Sequence, residues 1–321
     1  MTEKERQLLQ YLQDDFPFTE RPFAGAATRF GLTEDEVLSI LDRLTRRKLI
    51  RYLGAIFDPK RLGIRSVLCA ARIPSRDVAA VARRISSLRE VSHNYLRQGS
   101  PNLWFTVSAG SERKLTALLE QIQAITGGSL RAFPARKTFK IDARFNLPGG
   151  PGKVVPRSAP QRSPPACRIY TKTAIALNRP FPLARRPFAE AAAGLGLTVP
   201  RFLKLLERYK QAGILRRFGL ILSHRHAGFR SNCMVVWRVP QGRMKRAVRV
   251  FCAVPRITHC YERATVPGWP YNVYTMVHCA GRGECARLIK KLALAAGIAE
   301  HRALFTVKEF KKTKADLSAI L

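Results

Sequence analysis

The 321-residue chain reads as an α+β protein. It is a tandem repeat in which each copy is a winged helix-turn-helix followed by a ferredoxin-like βαββαβ domain, the two ferredoxin-like sheets packing as a pseudo-dimer. Three observations carry this reading: self-similarity, the order of apolar periodicities within each copy, and a Pro/Gly-rich break between the copies. Phe16-Pro17 recurs as Phe181-Pro182, and Arg21-Pro22-Phe23 as Arg186-Pro187-Phe188, both 165 residues later. Ser92-His93-Asn94-Tyr95-Leu96-Arg97 is answered by Thr258-His259-Cys260-Tyr261-Glu262-Arg263 at 166, and Phe139-Lys140 by Phe310-Lys311 at 171. An offset that grows in small steps places insertions in the loops of two copies of one fold.

In each copy short helices come first. Thr2 and Glu5 have capping-box spacing, with Leu8, Leu9 and Leu12 as the apolar face. Phe16-Pro17 ends that helix. Pro22 suits a first helical position and Gly31 a C-terminal stop. Thr33 and Glu36 form a second capping box, followed by Val37, Leu41 and Leu44 at helical spacing. A basic strand from Leu49 to Phe57 completes a winged helix-turn-helix. Strand-like SVLCAARIP, VSHNYLRQ, NLWFTVSA and LRAFPARKTFKI then alternate with two helical segments in the order βαββαβ. Domains are expected at 1–62, 63–146, 168–228 and 229–321, with a Pro/Gly/Arg-rich linker at 147–167.

Lys+Arg number 57 against Asp+Glu 22, a net charge of +35. Such an excess implies a polyanionic partner. The charge is unequal: residues 1–147 hold 25 basic and 15 acidic residues, residues 148–321 hold 32 and 7. Seven cysteines without CxxC spacing indicate neither a disulfide framework nor a zinc ribbon. No signal peptide or membrane-length segment is seen, which predicts a cytoplasmic protein without a membrane partner.

DNA is the first polyanion to weigh. Yet the expected recognition helix opens with Glu34, Asp35 and Glu36, and three carboxylates repel phosphate. The second copy offers Val199, Pro200, Arg201 and Phe202, poor in base-reading amides. The helix-turn-helix is therefore expected as scaffold, with no specific DNA partner. The duplicated polar set is more informative. His93, Tyr95 and Arg97 alternate on a strand and share a face, as do His259, Tyr261 and Arg263. One such His is best read as a buried side chain satisfied by its backbone, but duplication of the whole trio points to chemistry. Imidazole and phenol move protons, and Arg grips carboxylates. Asn102 and Trp104 are answered by Asn272 and Tyr274, whereas His278 stands where the first copy has Ser108. His224 and His226 form an HxH pair without further ligands nearby, too few for a zinc site.

Helix-turn-helix plus ferredoxin-like module resembles the Lrp/AsnC regulators. The motifs DFPFTERPF, RYLGAIFDPKRLG, VSHNYLR and NLWFTV, with RRFGLILSHRHAG, ITHCYER and NVYTMVH in the second half, resemble more specifically the siroheme decarboxylases in their fused two-subunit form. This resemblance implies removal of two acetate carboxyl groups from siroheme, giving didecarboxysiroheme and carbon dioxide for haem or d-type haem synthesis. The iron tetrapyrrole is then the substrate, and no separate cofactor is expected. His93, Tyr95, His259 and Tyr261 become candidate proton donors, and His278 a further one or a neighbour of the substrate's iron. No metal is expected on protein ligands alone. Arg51, Arg97, Lys140, Arg216, Arg217, Arg263 and Lys311 become candidates for the carboxylates, with Asn102 and Asn272 beside them. Trp104, Tyr52 and Tyr274 become candidates for the ring. The second copy, more basic and alone in having His278, is expected to be the main catalytic pocket. A further homo-oligomer is left open. The rival readings are a DNA-binding regulator and a haem sensor.

Overall fold

The computed structural model describes residues 1–141, 168–222 and 231–321. The expected linker at 147–167, His224 and His226 lie outside the described residues. The first copy runs α1 (Glu3–Asp14), α2 (Pro22–Phe30), α3 (Glu34–Arg46), β1 (Ile50–Phe57), β2 (Arg65–Ala71), α4 (Val78–Ser87), β3 (Val91–Arg97), β4 (Leu103–Ala109), α5 (Glu112–Ile125) and β5 (Leu130–Ile141). The second runs α6 (Arg168–Leu177), α7 (Ala189–Ala193), α8 (Val199–Gln211), β6 (Leu215–Leu222), β7 (Ser231–Trp237), α9 (Met244–Ala253), β8 (Ile257–Arg263), β9 (Val273–Cys279), α10 (Arg282–Ala296), β10 (His301–Lys312) and α11 (Leu317–Ile320). Two compact units result, and each takes one part of both copies: Met1–Gly63 with Arg144–Ala227, and Ile64–Ala143 with Gly228–Leu321.

In the helix-turn-helix unit, both capping boxes form, Thr2 with Glu5 and Thr33 with Glu36. Pro22 opens α2, and Gly31 closes it in the left-handed region at φ 58°. Leu8, Leu9, Leu12, Phe23, Val37 and Leu41 are fully buried. The wing strands do not fold back on their own copies. β1 pairs antiparallel with β6, setting Gly54 opposite Gly219. The carboxylates that open α3 are engaged internally: Glu34 with Arg21, Asp35 with Arg185 at 2.7 Å, and Glu36 in its capping box.

The second unit is a closed eight-stranded barrel in the order β10-β3-β4-β2-β5-β8-β9-β7. Each copy supplies four consecutive strands in the ferredoxin-like order. The two sheets face each other across an inner cluster that includes Trp104, Phe133, Val236, Trp269 and Tyr274. Edge sharing is what alternation alone did not reveal. β5 pairs with β2 over its first half and with β8 of the other copy over its second. β10 does the same with β7 and β3. Helices α4 and α5 cover one outer face over Ile85, Phe105 and Ile122, and α9 and α10 cover the other over Phe251, Val277 and Ile289.

Gly219 marks the tightest approach in the helix-turn-helix unit. A Cβ there would lie 2.5 Å from the Leu12 carbonyl oxygen and 2.9 Å from that of Gln13, both backbone atoms that cannot swing away. Gly219→Ala is expected to destabilise the protein by about 1–3 kcal/mol, the usual cost of overpacking, seen as a lower midpoint in thermal or urea unfolding. Gly25→Ala, inside α2 with nothing within 4 Å of the added methyl, is the control and is expected to raise stability by up to about 1 kcal/mol.

Candidate active site

Cross-strand register decides which way the polar trios face. Residues directly opposite in an antiparallel pair share a face. Tyr95 lies opposite Trp104 and His93 opposite Thr106, while Tyr261 lies opposite Tyr274 and His259 opposite Met276. Trp104 and Tyr274 belong to the inner cluster, so both trios line the inside of the barrel. β3 and β8 are four strands apart in the ring of eight, which puts the trios on opposite walls. Their neighbours point outward, as Asn94 shows by donating to the Ala82 carbonyl of α4 at 3.1 Å.

Within each trio the rings form a ladder. The His93 and Tyr95 centroids are 6.2 Å apart, and those of His259 and Tyr261 6.0 Å. The guanidinium carbon of Arg97 lies 5.1 Å from the Tyr95 ring and that of Arg263 4.8 Å from Tyr261. The arginines also staple the seam between copies. Arg97 Nη1 donates to the Leu304 carbonyl at 3.1 Å and to Thr306 Oγ1 at 3.0 Å. Arg263 Nη1 donates to the Phe133 carbonyl at 2.7 Å. Burial pushes the Arg97 guanidinium down to about 10 and lowers that of Arg263.

A hydroxyl precedes each histidine, and the strand slips by one residue there, between Val91 and His93 and between Ile257 and His259. The slip lets the hydroxyl reach its own neighbour. Ser92 Oγ is 2.9 Å from His93 Nδ1, and Thr258 Oγ1 is 2.8 Å from His259 Nδ1. In the second copy the same Thr258 oxygen is also 2.8 Å from His278 Nε2. A hydroxyl has one proton, so it donates to only one imidazole and must accept from the other. Thr258 therefore couples the protonation of His259 to that of the buried His278. In the first copy Ser108, at the position of His278, bonds Ser66 at 2.8 Å instead.

The AsnC-like ligand binding domain matches residues 61–140 and 226–311, and the siroheme decarboxylase NirDL-like HTH domain matches 5–51 and 176–216. The siroheme decarboxylase NirDL subunit of Paracoccus denitrificans is 32% identical over 328 residues, covering 100% of this chain and 99% of the relative. The chain belongs to the siroheme decarboxylase NirDL family. The alpha subunit of siroheme decarboxylase from Desulfovibrio desulfuricans is 40% identical and covers 46% of this chain and 85% of its own. A crystal structure of siroheme decarboxylase NirDL in complex with an iron-uroporphyrin III analogue superposes with a TM-score of 0.75 at 25% identity, covering 98% of this chain and 94% of that one.

Against this NirDL background several sequence expectations need correction. Lys140 and Lys311 do not face the barrel interior. They stand opposite the outward Cys260 and Asn94. Lys311 Nζ donates to the Ser86 and Leu88 carbonyls at the end of α4, at 2.8 and 2.7 Å. Lys140 Nζ does the same at the end of α9, to Cys252 at 3.0 Å and Val254 at 2.9 Å. Asn102 and Asn272 are backbone clamps, each exchanging two bonds with one residue, Ile73 and Val239 respectively. Trp104 and Tyr274 are core, 1% and 2% exposed, and no open face remains for a macrocycle. Trp104 Nε1 donates to the Pro101 carbonyl, and Trp269 Nε1 to the Tyr274 hydroxyl. Arg97 is held by the seam, not offered to a carboxylate. His278 uses Nε2 on Thr258, which takes that nitrogen away from a substrate iron. Arg216 is paired with Asp58 at 2.9 Å. Arg51 is exposed, and Arg217 and Tyr52 are half-buried, all on the wing strands of the other unit.

Two site residues escaped the sequence reading. Glu309 lies opposite Tyr95, and its counterpart Thr138 lies opposite Tyr261. The first ladder thus faces a carboxylate and the second a hydroxyl. Accessibility follows the same asymmetry: Tyr95 and Arg97 are buried, Tyr261 and Arg263 only half-buried. No group of three or more His, Cys, Asp or Glu among the described residues is arranged to hold a metal.

A cation on the last carbonyls of a helix contributes typically about 0.3–1 kcal/mol and up to about 2 when partly buried. Lys140→Met and Lys311→Met are each expected to lower unfolding stability by about 1–2 kcal/mol while leaving ligand affinity unchanged in a binding titration.

Proposed function

We infer that this chain is a siroheme decarboxylase, a carboxy-lyase that removes two acetate carboxyl groups from siroheme in haem biosynthesis, with didecarboxysiroheme and carbon dioxide as products. The observation that carries the reading is the hydroxyl-bridged histidine pair beside Tyr261, in a chain that aligns end to end with NirDL. In each step the bond between the acetate methylene and its carboxylate breaks. The electron pair passes to the methylene carbon and the conjugated macrocycle, carbon dioxide leaves, and one proton arrives to make a methyl group. The step is redox-neutral, which supports the absence of a separate cofactor.

The residues divide the work by position. His259 is the proton donor, and Thr258 positions its ring from the Nδ1 side. His278 supplies Thr258. Tyr261 and the half-buried Arg263 form the polar wall beside it. The second pocket is favoured because it lacks the Glu309 carboxylate, which would repel an acidic substrate. The reading includes a cytoplasmic location, no specific DNA partner and a pseudo-dimer within one chain. No helix among the described residues is long and apolar enough to cross a membrane.

Anaerobic incubation with siroheme, read by product mass, is the direct test. The wild type is expected to lose two carboxyl masses and release carbon dioxide. Unchanged mass together with sequence-selective, salt-sensitive DNA binding points to a regulator, and unchanged mass with a siroheme absorbance shift points to a sensor. His259→Ala is expected to slow turnover by about 100- to 10,000-fold, the range for loss of general acid help, and His93→Ala less. Loss only in His93→Ala reverses the assignment, and an intermediate lacking one carboxyl assigns one step to each pocket. Thr258→Val is expected to lower the rate on the order of 100-fold through misplacement of the donor and to shift the pH–rate profile. Thr258→Ser is expected to restore both.

A further inference from the structure

The barrel unit contains a cavity of about 380 Å³ that the histidine ladders do not use. It lies at the end of the barrel closed by the hairpins that follow β3 and β8, and Ser100, Pro101, Gly268 and Trp269 of those hairpins line it. Arg97 and Arg263 end their strands at this side. The histidines stand four residues earlier, roughly 13 Å away at strand spacing. Arg72, Arg131 and Arg302 converge on the cavity, and no carboxylate lines it.

This convergence follows from the repeat. Arg131 and Arg302 are the second residues of β5 and β10, equivalent positions that the pseudo-twofold brings to one place. Arg302 stacks over Trp269 at 5.7 Å and over Tyr271 at 5.6 Å. The Arg131 guanidinium lies against Gly268, with Nη2 3.7 Å from where a Cβ would stand. Among the described residues no ion pair or hydrogen bond engages the guanidinium group of any of the three.

The third arginine owes its freedom to a difference between the copies. Arg238, directly after β7, is paired with Glu300, directly before β10, at 3.0 Å. The corresponding positions in the first copy are Arg72, after β2, and Ser129, before β5. Ser129 donates to the Arg72 carbonyl at 3.0 Å and carries no charge. One copy thus neutralises this arginine and the other leaves it cationic. Three like charges held together without a counter-charge repel one another unless an anion joins them.

We propose that this cavity binds a small molecule bearing a carboxylate or phosphate group, at a position separate from the histidine pockets. Guanidinium forks match the paired oxygens of either group. The volume lies at the low end of ligand pockets, which run from about 300 to 1,000 Å³, so the occupant is a small anion and not a macrocycle. Arg72 and Arg302 are exposed, which leaves the mouth open to solvent, and the indole of Trp269 provides a reporter in the wall.

The test uses the full chain, with citrate and inorganic phosphate titrated separately at constant ionic strength, by calorimetry and tryptophan fluorescence. Saturable one-site binding of at least one probe is expected, and the probe that binds identifies the group. Ser129→Glu supplies the carboxylate that Glu300 gives to Arg238 and is expected to weaken binding at least tenfold. Arg131→Gln is expected to do the same without adding charge. Ser129→Ala and His259→Ala are expected to bind as the wild type does, the latter whether or not the histidines act in catalysis. Absence of saturable binding for both probes overturns the proposal, as does wild-type affinity in both Ser129→Glu and Arg131→Gln.

Discussion

A four-stranded ferredoxin-like sheet has two edges, and each edge is a row of backbone donors and acceptors that must find partners. In this protein both edges are satisfied by the other copy. The second halves of β5 and β10 leave their own sheets and pair with β8 and β3, closing the ring. Closure removes every edge in the barrel and makes the copies mutually dependent. The helix ends follow the same exchange, because Lys140 of the first copy caps α9 of the second and Lys311 of the second caps α4 of the first. Arg97 and Arg263 bond the carbonyls of the incoming strands at both seams. Each histidine ladder stands on the strand beside a seam, so the strand next to it is supplied by the other copy.

Within that shared frame the copies differ where chemistry is affected and agree where closure is affected. Seam staples, Asn clamps and lysine caps are present twice with nearly the same geometry. Glu309 against Thr138, Ser108 against His278 and Ser129 against Glu300 are three places where equivalent positions carry different charge or proton capacity. A duplicated scaffold can diverge there because these side chains project from strands, or from the residue just before one, whose backbone pairing is already complete.

This division also explains what the sequence disclosed. Capping boxes, Pro22, Gly31 and the apolar spacing of α1 and α3 are local signals and locate those elements closely. The βαββαβ order was legible from periodicity, and the shared face of each trio from simple alternation. Edge exchange was not, because a strand's pairing partner leaves no mark on its own alternation. Glu309 and Thr138 were missed for a related reason. Counting alternately from the inward Leu304 and Phe133 places both on the helix-facing side, and a one-residue register shift in each strand turns them inward. The lysines, asparagines and Trp104 were overread because duplication preserves closure as faithfully as it preserves a site. The pairing of a hydroxyl with each histidine, Ser92-His93 and Thr258-His259, was visible in the repeat and gained meaning only when the slipped strand brought the two side chains together.

Proton supply separates the two ladders more sharply than substrate recognition does. Each decarboxylation consumes one proton at carbon, so a donor must be recharged before it acts again. In the proposed reaction His259 has a partner for part of this: the Thr258 hydroxyl joins its Nδ1 to His278 Nε2, so a proton arriving at Nδ1 keeps the ring neutral as Nε2 gives its own up, and a second proton transfer at Nε2 restores the starting tautomer. His93 has the first link, Ser92, but the next position is Ser108, a neutral hydroxyl already bonded to Ser66. A hydroxyl does not take up a proton near neutral pH, whereas an imidazole does. In the proposed reaction the first ladder therefore lacks the second imidazole that stands behind the hydroxyl of the other ladder. The exchange of one serine for one histidine on β9 is the difference in proton-carrying groups on which the proposed inequality of the two walls rests.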